Sequence, residues 1–271
     1  MVDVDSPPNF SRLPEPLIGA MRELARTRRL LVALDFDGTL APTVDKPEQA
    51  RATPEAREAV LRLLAMPHTR VAVVSGRAIK SLEEVADLPD NALLVGSHGI
   101  ELRLDTPHAT LSLDTGELEQ VDALGEVLGD VADSIDQVWL EAKPAGFALH
   151  TRLATEKDSR MAHLVARKEA EAELDGFHVR EGKDVLEFSV RSTTKGDAIA
   201  HLRAYTKATA VFFAGDDVTD EDGFAALEAD DLGLKSGEGA TLANFRVAGP
   251  KQVAIALALL ADLREGDVHE Q

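Results

Sequence analysis

The chain has 271 residues, 44% hydrophobic and 28% charged, the make-up of an ordinary soluble globular protein with room for one large core or two modest ones. Its net charge of −19 argues against a nucleic-acid or anionic-membrane partner, because phosphate backbones are bound mainly by cationic surfaces. With no cysteine, disulfides, thiolate catalysis and cysteine-based zinc sites are excluded.

The first ten residues carry no basic n-region or apolar h-region, and the longest apolar run, residues 253–261, is too short to span a bilayer. A cytoplasmic protein with no membrane contact and no obligate protein partner is expected. Residues 31–34 read as a buried strand that stops at Asp35-Phe-Asp-Gly-Thr39. Thr53-Pro54 reads as a helix N-cap and first helical position, and residues 56–64 have helical apolar spacing. Residues 70–75 form a continuous apolar strand, 78–86 a helix and 92–96 a third strand. Strands that are apolar throughout and separated by helices imply a parallel sheet covered on both faces.

The middle of the chain changes character. Residues 116–135 and 156–174 read as helices; 137–141, 147–152, 177–180 and 184–190 alternate polar and apolar residues like antiparallel strands. Helix, strand, strand, helix, strand, strand suggests a small α+β unit with one sheet face covered. The α/β rhythm then resumes with a helix over 195–205, a strand over 210–214 and a helix over 221–227. Short apolar pieces at 232–234 and 245–248 precede a helix from 253, and the acidic tail after Leu263 is expected to fray. The fold class expected is α/β, a doubly wound, Rossmann-like core (1–104 and 193–271) with an inserted α+β domain (105–192).

In such sheets ligands bind past the carboxyl ends of strands. Asp35 and Asp37 sit at one such end, and Gly215-Asp-Asp-Val-Thr-Asp-Glu-Asp222 follows another. Clustered carboxylates repel, and a hard cation such as Mg²⁺ removes that cost. Asp35 suits a nucleophile at phosphorus, because an aspartyl phosphate divides one displacement into two. Asp37 is placed to protonate the leaving alcohol and then to deprotonate water. The turn through Gly38 and Thr39 offers backbone amides to phosphoryl oxygens. Ser75, in Ser-Gly-Arg77, can donate to a phosphoryl oxygen or cap the following helix. Lys195 sits in a first helical turn, where the macrodipole disfavours it; it can orient Asp35 and offset phosphate charge, or simply be solvated. Asp216 ends its strand and is the expected metal ligand alongside Asp35 and Asp37, while Asp217 and Asp220 could act through water or hold Lys195. Glu221 and Asp222 are ordinary helix-start acids.

Asp-x-Asp-Gly-Thr, Ser-Gly-Arg, Lys-Gly and Gly-Asp-Asp-x-x-Asp, in this order, resemble the motifs of haloacid dehalogenase superfamily phosphatases. More narrowly, Asp35-Phe-Asp-Gly-Thr-Leu-Ala-Pro42, Val74-Ser-Gly-Arg77, Gly96-Ser-His-Gly-Ile-Glu101 and the Gly215–Asp222 motif resemble trehalose-6-phosphate phosphatases. The resemblance implies an inserted cap that presents Glu141, Lys143, Arg152, Lys183 and Glu187 to a sugar, and it carries over His98, where many members read Asn-His-Gly. It also implies Mg²⁺-dependent release of phosphate from trehalose 6-phosphate through an aspartyl phosphate, in trehalose biosynthesis, with the cap excluding water. A glucosylglycerol or sucrose phosphate is the alternative substrate, a phosphomutase the alternative reaction, and a silent sugar-phosphate sensor the non-enzymatic alternative.

Overall fold

A computed structural model describes residues 13–44, 46–105, 109–110, 113–182 and 184–268. In chain order the elements are α1 (Glu15–Ala25), β1 (Leu30–Leu34), α2 (Pro54–Ala65), β2 (Thr69–Val74), α3 (Ile79–Ala86), β3 (Leu93–Gly96), β4 (Glu101–Arg103) and β5 (Ala109–Thr110). Next come α4 (Thr115–Ser134), β6 (Trp139–Lys143), β7 (Gly146–His150), α5 (Glu156–Glu173), β8 (His178–Gly182) and β9 (Val185–Ser189). The last are α6 (Lys195–Thr206), β10 (Ala210–Gly215), α7 (Thr219–Ala225), β11 (Leu232–Ser236), β12 (Phe245–Val247) and α8 (Pro250–Val268). Two compact units result: Met1–Ala109 with Thr194–Gln271, and Thr110–Thr193.

The first unit is built on a sheet of order β12-β11-β10-β1-β2-β3-β4-β5. From β12 to β3 every pairing is parallel, and β4 runs antiparallel to β3. β1 and β10 are buried at every residue, as strands covered on both faces must be. Period-two alternation divides β1 between two cores. Leu30, Val32 and Leu34 pack with α1, α2, α3 and α8, while Leu31 and Ala33 pack with Ile199 and Leu202 of α6 and Phe224 of α7. From β1 the chain winds outward through β2 and β3, and it returns on the other side through β10 to β12. The order therefore reverses between β1 and β10, where open α/β sheets bind ligands. Leu34 is in register with Ala214 on one side and Val73 on the other, so Asp35, Asp216 and Ser75 all emerge at one edge.

The second unit is a four-stranded antiparallel sheet of order β6-β7-β9-β8. α4 packs on β6 and β7, and α5 packs on α4. A capping box at Asp114 and Glu117 opens α4, and the Thr155 hydroxyl caps α5. No described helix is long and apolar enough to cross a membrane.

One expectation about the fold is corrected, and three elements are added to those expected. α1 was not read from the sequence, although Leu17, Ile18, Met21 and Leu24 make a buried stripe at helical spacing. β4 and β5 add two strands at the sheet edge, in a segment without a clear apolar run. The tail after Leu263 is helical as far as Val268, beyond which it lies outside the described residues, and Arg264 within it is buried. Its guanidinium donates to Thr69 Oγ1 (2.9 Å), Ala25 O (2.8 Å) and Thr27 O (3.1 Å), tying α8 to the end of α1 and the start of β2. Arg264→Ala is expected to cost about 2–3 kcal/mol, as for hydrogen bonds from a charged donor whose buried carbonyls are left unmatched. A urea midpoint checks this, and an unchanged midpoint would mean that the C-terminal end of α8 adds nothing to stability.

Candidate active site

Asp35 leaves β1 with its amide still donating to Ala214 O (2.9 Å), so its buried side chain is fixed at the switch between β1 and β10. Its Oδ1 accepts from Lys195 Nζ at 2.7 Å, while its Oδ2 is buried without a hydrogen-bond partner. An ionised oxygen left without a donor in the interior is costly unless a ligand or cation completes it.

Lys195 is the first residue of α6, whose N-terminus is closed by a capping box between Thr194 and Asp197. The lysine is buried and donates to Asp35 and to Asp220 Oδ1 (2.6 Å), so the solvated alternative is not what the structure shows. Burial opposes its charge, but the two carboxylates outweigh that and raise its pKa above the ordinary lysine value. Asp220 uses its other oxygen to accept from the amides of Asp216 and Asp217, both at 2.9 Å. It closes the loop that presents Asp216 and holds Lys195 at the same time. Asp217 is exposed, with Oδ1 accepting from the Val218 amide (2.7 Å).

Asp35, Asp216 and Asp220 each place an oxygen within 4.8 Å of the others, a cluster that could hold a metal ion. Both Asp220 oxygens are already engaged, which leaves Asp35 Oδ2 and the Asp216 carboxylate as the donors. Burial, followed by the Asp220 and Asp216 charges, pushes Asp35 well above the usual carboxylate range despite Lys195. Burial and then Asp220 push Asp216 up to about 6. Crowded, desolvated carboxylates of this kind are what a hard cation relieves. Gly38 belongs to the same cluster: with φ +81° it turns the chain, and a Cβ there would overlap the Asp216 carboxylate.

The Asp37 carboxylate goes elsewhere. Arg77 clamps both its oxygens, Nε to Oδ2 at 2.5 Å and an Nη to Oδ1 at 2.7 Å, so it lies outside the Asp35–Asp216–Asp220 cluster. Ser75 is buried, and its Oγ accepts from the Arg77 amide (3.2 Å). It does not cap α3, whose Ile79 amide donates to Glu101 Oε2 (3.1 Å). The Thr39 hydroxyl is buried with no hydrogen-bond partner. His98, in the left-handed region at φ 56°, sets its ring against Gly76, so the loops after β2 and β3 meet.

Two residues of this edge were not singled out from the sequence. Lys235 stands opposite Gly215 in the β10–β11 register and donates to Asp216 O at 2.6 Å, and Ser236 Oγ donates to Gly38 O at 2.7 Å. Lys235 and Ser236, two polar residues closing the apolar Leu-Gly-Leu start of the buried Leu232–Ser236 strand, are the signal that could have found them.

In the second unit, Glu141 and Lys143 of β6 and Glu187 of β9 lie on one sheet face, with Glu141 and Glu187 both paired to Ala148. Arg152 follows β7 and is exposed, and Lys183 lies outside the described residues. Glu141 joins Lys143 Nζ (2.8 Å) and His150 Nε2 (2.7 Å), and the bond to His150, against burial, holds its carboxyl down at about 2.

The model of a family described as trehalose-phosphatase matches residues 33–258. A bifunctional trehalose-6-phosphate synthase/phosphatase of Thermoproteus tenax is 33% identical over 228 residues, covering 83% of this chain and 31% of that protein. A trehalose-phosphate phosphatase of Mycobacterium ulcerans is 32% identical over 259 residues, covering 91% of this chain and 65% of that one. The chain thus spans about a third of the first relative and just under two thirds of the second. Among solved structures, trehalose-6-phosphate phosphatase of Aspergillus fumigatus aligns with a TM-score of 0.67 at 26% identity, covering 90% of this chain and 97% of that one.

Proposed function

Because this chain belongs to the trehalose-phosphatase family, we propose that it hydrolyses trehalose 6-phosphate to trehalose and inorganic phosphate. The observation that carries the reading is Asp35, buried at the switch point with Oδ1 held by Lys195 and Oδ2 left open. In the proposed reaction Asp35 Oδ2 attacks phosphorus, the bond from phosphorus to the sugar oxygen breaks, and Asp37 protonates that oxygen. Arg77 occupies both Asp37 oxygens, so proton delivery requires Asp37 to come off the guanidinium. Asp37 then takes a proton from water as the water oxygen displaces Asp35 from phosphorus. Lys195 stays charged throughout, and Ser75 and the Thr39 hydroxyl are the nearby neutral groups proposed to bond phosphoryl oxygens.

The donor set of Asp35 and Asp216 is all oxygen and fits Mg²⁺, which when bound would offset carboxylate and phosphoryl charge. The second unit, Thr110–Thr193, is proposed as the specificity domain in place of the expected 105–192, with Glu141, Lys143, Arg152, Lys183 and Glu187 bonding sugar hydroxyls, and His98 is proposed as a further substrate contact.

A phosphate-release assay over trehalose 6-phosphate, sucrose 6-phosphate, a glucosylglycerol phosphate and a hexose phosphate tests this reading. The expected result is preference for trehalose 6-phosphate, abolished by a chelator and restored by Mg²⁺. Full activity after thorough chelation would remove the metal from the account. A strict Zn²⁺ requirement would contradict an all-oxygen site. Preference for another member of the panel would replace the substrate.

A further inference from the structure

The second unit's sheet has one face against α4. Phe147 shows which: its ring meets Gly125 of α4 so closely that a Cβ there would sit 2.7 Å from it. Residues two apart share a face, so Ala148 and His150 of β7 point away from α4, together with their cross-strand partners Trp139, Glu141 and Glu187. Trp139 is the only tryptophan in the chain, and it is 39% exposed.

Trp139 is not a loosely held surface ring. His150 stacks on it with ring centroids 4.9 Å apart and planes within 11° of parallel. Glu141 fixes His150 through Nε2 at 2.7 Å and takes Lys143 on its other oxygen at 2.8 Å. One side of the indole is therefore backed by a pinned imidazole, and a row of fixed acceptors and donors runs along β6 beside it. The small Ala148 between Glu141 and Glu187 leaves the middle of the row low. Rigid groups lose less entropy on binding, so this is a prepared surface.

We propose that the Trp139–His150 stack is the plate on which a glucose ring of the substrate packs, making Trp139 a specificity residue. The inference rests on the functional reading above. A pyranose presents a C–H face, which suits an exposed aromatic plane, and a rim of hydroxyls, which suits alternating carboxylate and ammonium groups such as Glu141, Lys143 and Glu187. A protein partner would require a wider apolar surface, and on strands β6 to β9 Trp139 is the only exposed large apolar side chain.

Because the chain has a single tryptophan, its emission above tyrosine reports this ring alone. Trehalose, which lacks the phosphate, is titrated into full-length Asp35→Asn protein, and trehalose 6-phosphate is titrated in parallel. A saturable change in Trp139 emission with both is expected. In enzyme with Asp35 intact, Trp139→Ala should raise KM for trehalose 6-phosphate about tenfold, and Trp139→Phe, which keeps an aromatic plate, should recover most of that loss. Phosphate release from trehalose 6-phosphate by the unaltered enzyme, with flat emission and unchanged KM in Trp139→Ala, would overturn the plate and leave the function standing. A saturable response to trehalose without phosphate release would support the plate and overturn the function. Flat emission and no release would overturn both.

Discussion

Asp35→Asn is expected to fold normally and to lose turnover of trehalose 6-phosphate by a factor on the order of 10³ or more. An amide cannot attack phosphorus, and no other described carboxylate pairs an open buried oxygen with a lysine-held one. The stability side of the expectation separates chemistry from folding. Burial and the Asp220 and Asp216 charges all disfavour an ionised Asp35, and only Lys195 favours it. Its uncharged isostere should therefore keep or raise Tm in metal-free buffer, while the activity disappears. Thermal unfolding and phosphate release on the same preparation check both halves. A fall in Tm with the activity would make Asp35 a structural residue, and near-normal turnover would remove it from the reaction.

Lys195→Met is expected to lose both stability and activity. Among the described residues Lys195 is the one cation bonded to the buried Asp35 and Asp220 carboxylates, and removing it strands two desolvated charges. Breaking a buried pair in this way costs about 3–5 kcal/mol. Adding Asp220→Asn removes one stranded charge while keeping an acceptor for the Asp216 and Asp217 amides, so the double variant should recover part of the stability. It should not recover turnover, because nothing then orients Asp35. Urea midpoints of the parent, the single and the double variant measure the difference. A single variant as stable as the parent would contradict the buried triad of Asp35, Lys195 and Asp220.

The parts of the site that the sequence exposes are those set by short-range geometry. An apolar strand ending in Asp35-Phe-Asp-Gly-Thr39 places its carboxylates at a sheet edge by period and length alone, and Thr53-Pro54 opens α2 with the expected cap. Lys195 was noticeable because it opposes the macrodipole of its own helix, although the carboxylates that explain it are 160 and 25 positions away. Residues whose meaning is wholly long-range were not legible. Lys235 acquires its role from a carbonyl 19 positions earlier, and Arg264 from Thr69, Ala25 and Thr27. The acidic residues around Arg264 look like a solvated end, and only its distant partners show that the helix is docked. The Arg77 clamp was hidden for the same reason: both motifs were visible, but not that one side chain closes on the other across 40 positions. Trp139 shares a face with Glu141 by simple period-two spacing, so alternation places it beside a residue that the family resemblance alone had pointed to.

The central claim, that Asp35 carries the phosphoryl group between sugar and water, has a direct measurement. The unaltered enzyme is mixed with trehalose 6-phosphate and Mg²⁺, quenched in acid within the first turnover, digested, and its peptides weighed. The account predicts one peptide, containing Asp35, heavier by a phosphoryl group during turnover and unmodified once substrate is exhausted, with no such species in Asp35→Asn. Phosphate released at the full rate with no modified peptide at any quench time, or the modification found on another residue, would contradict it.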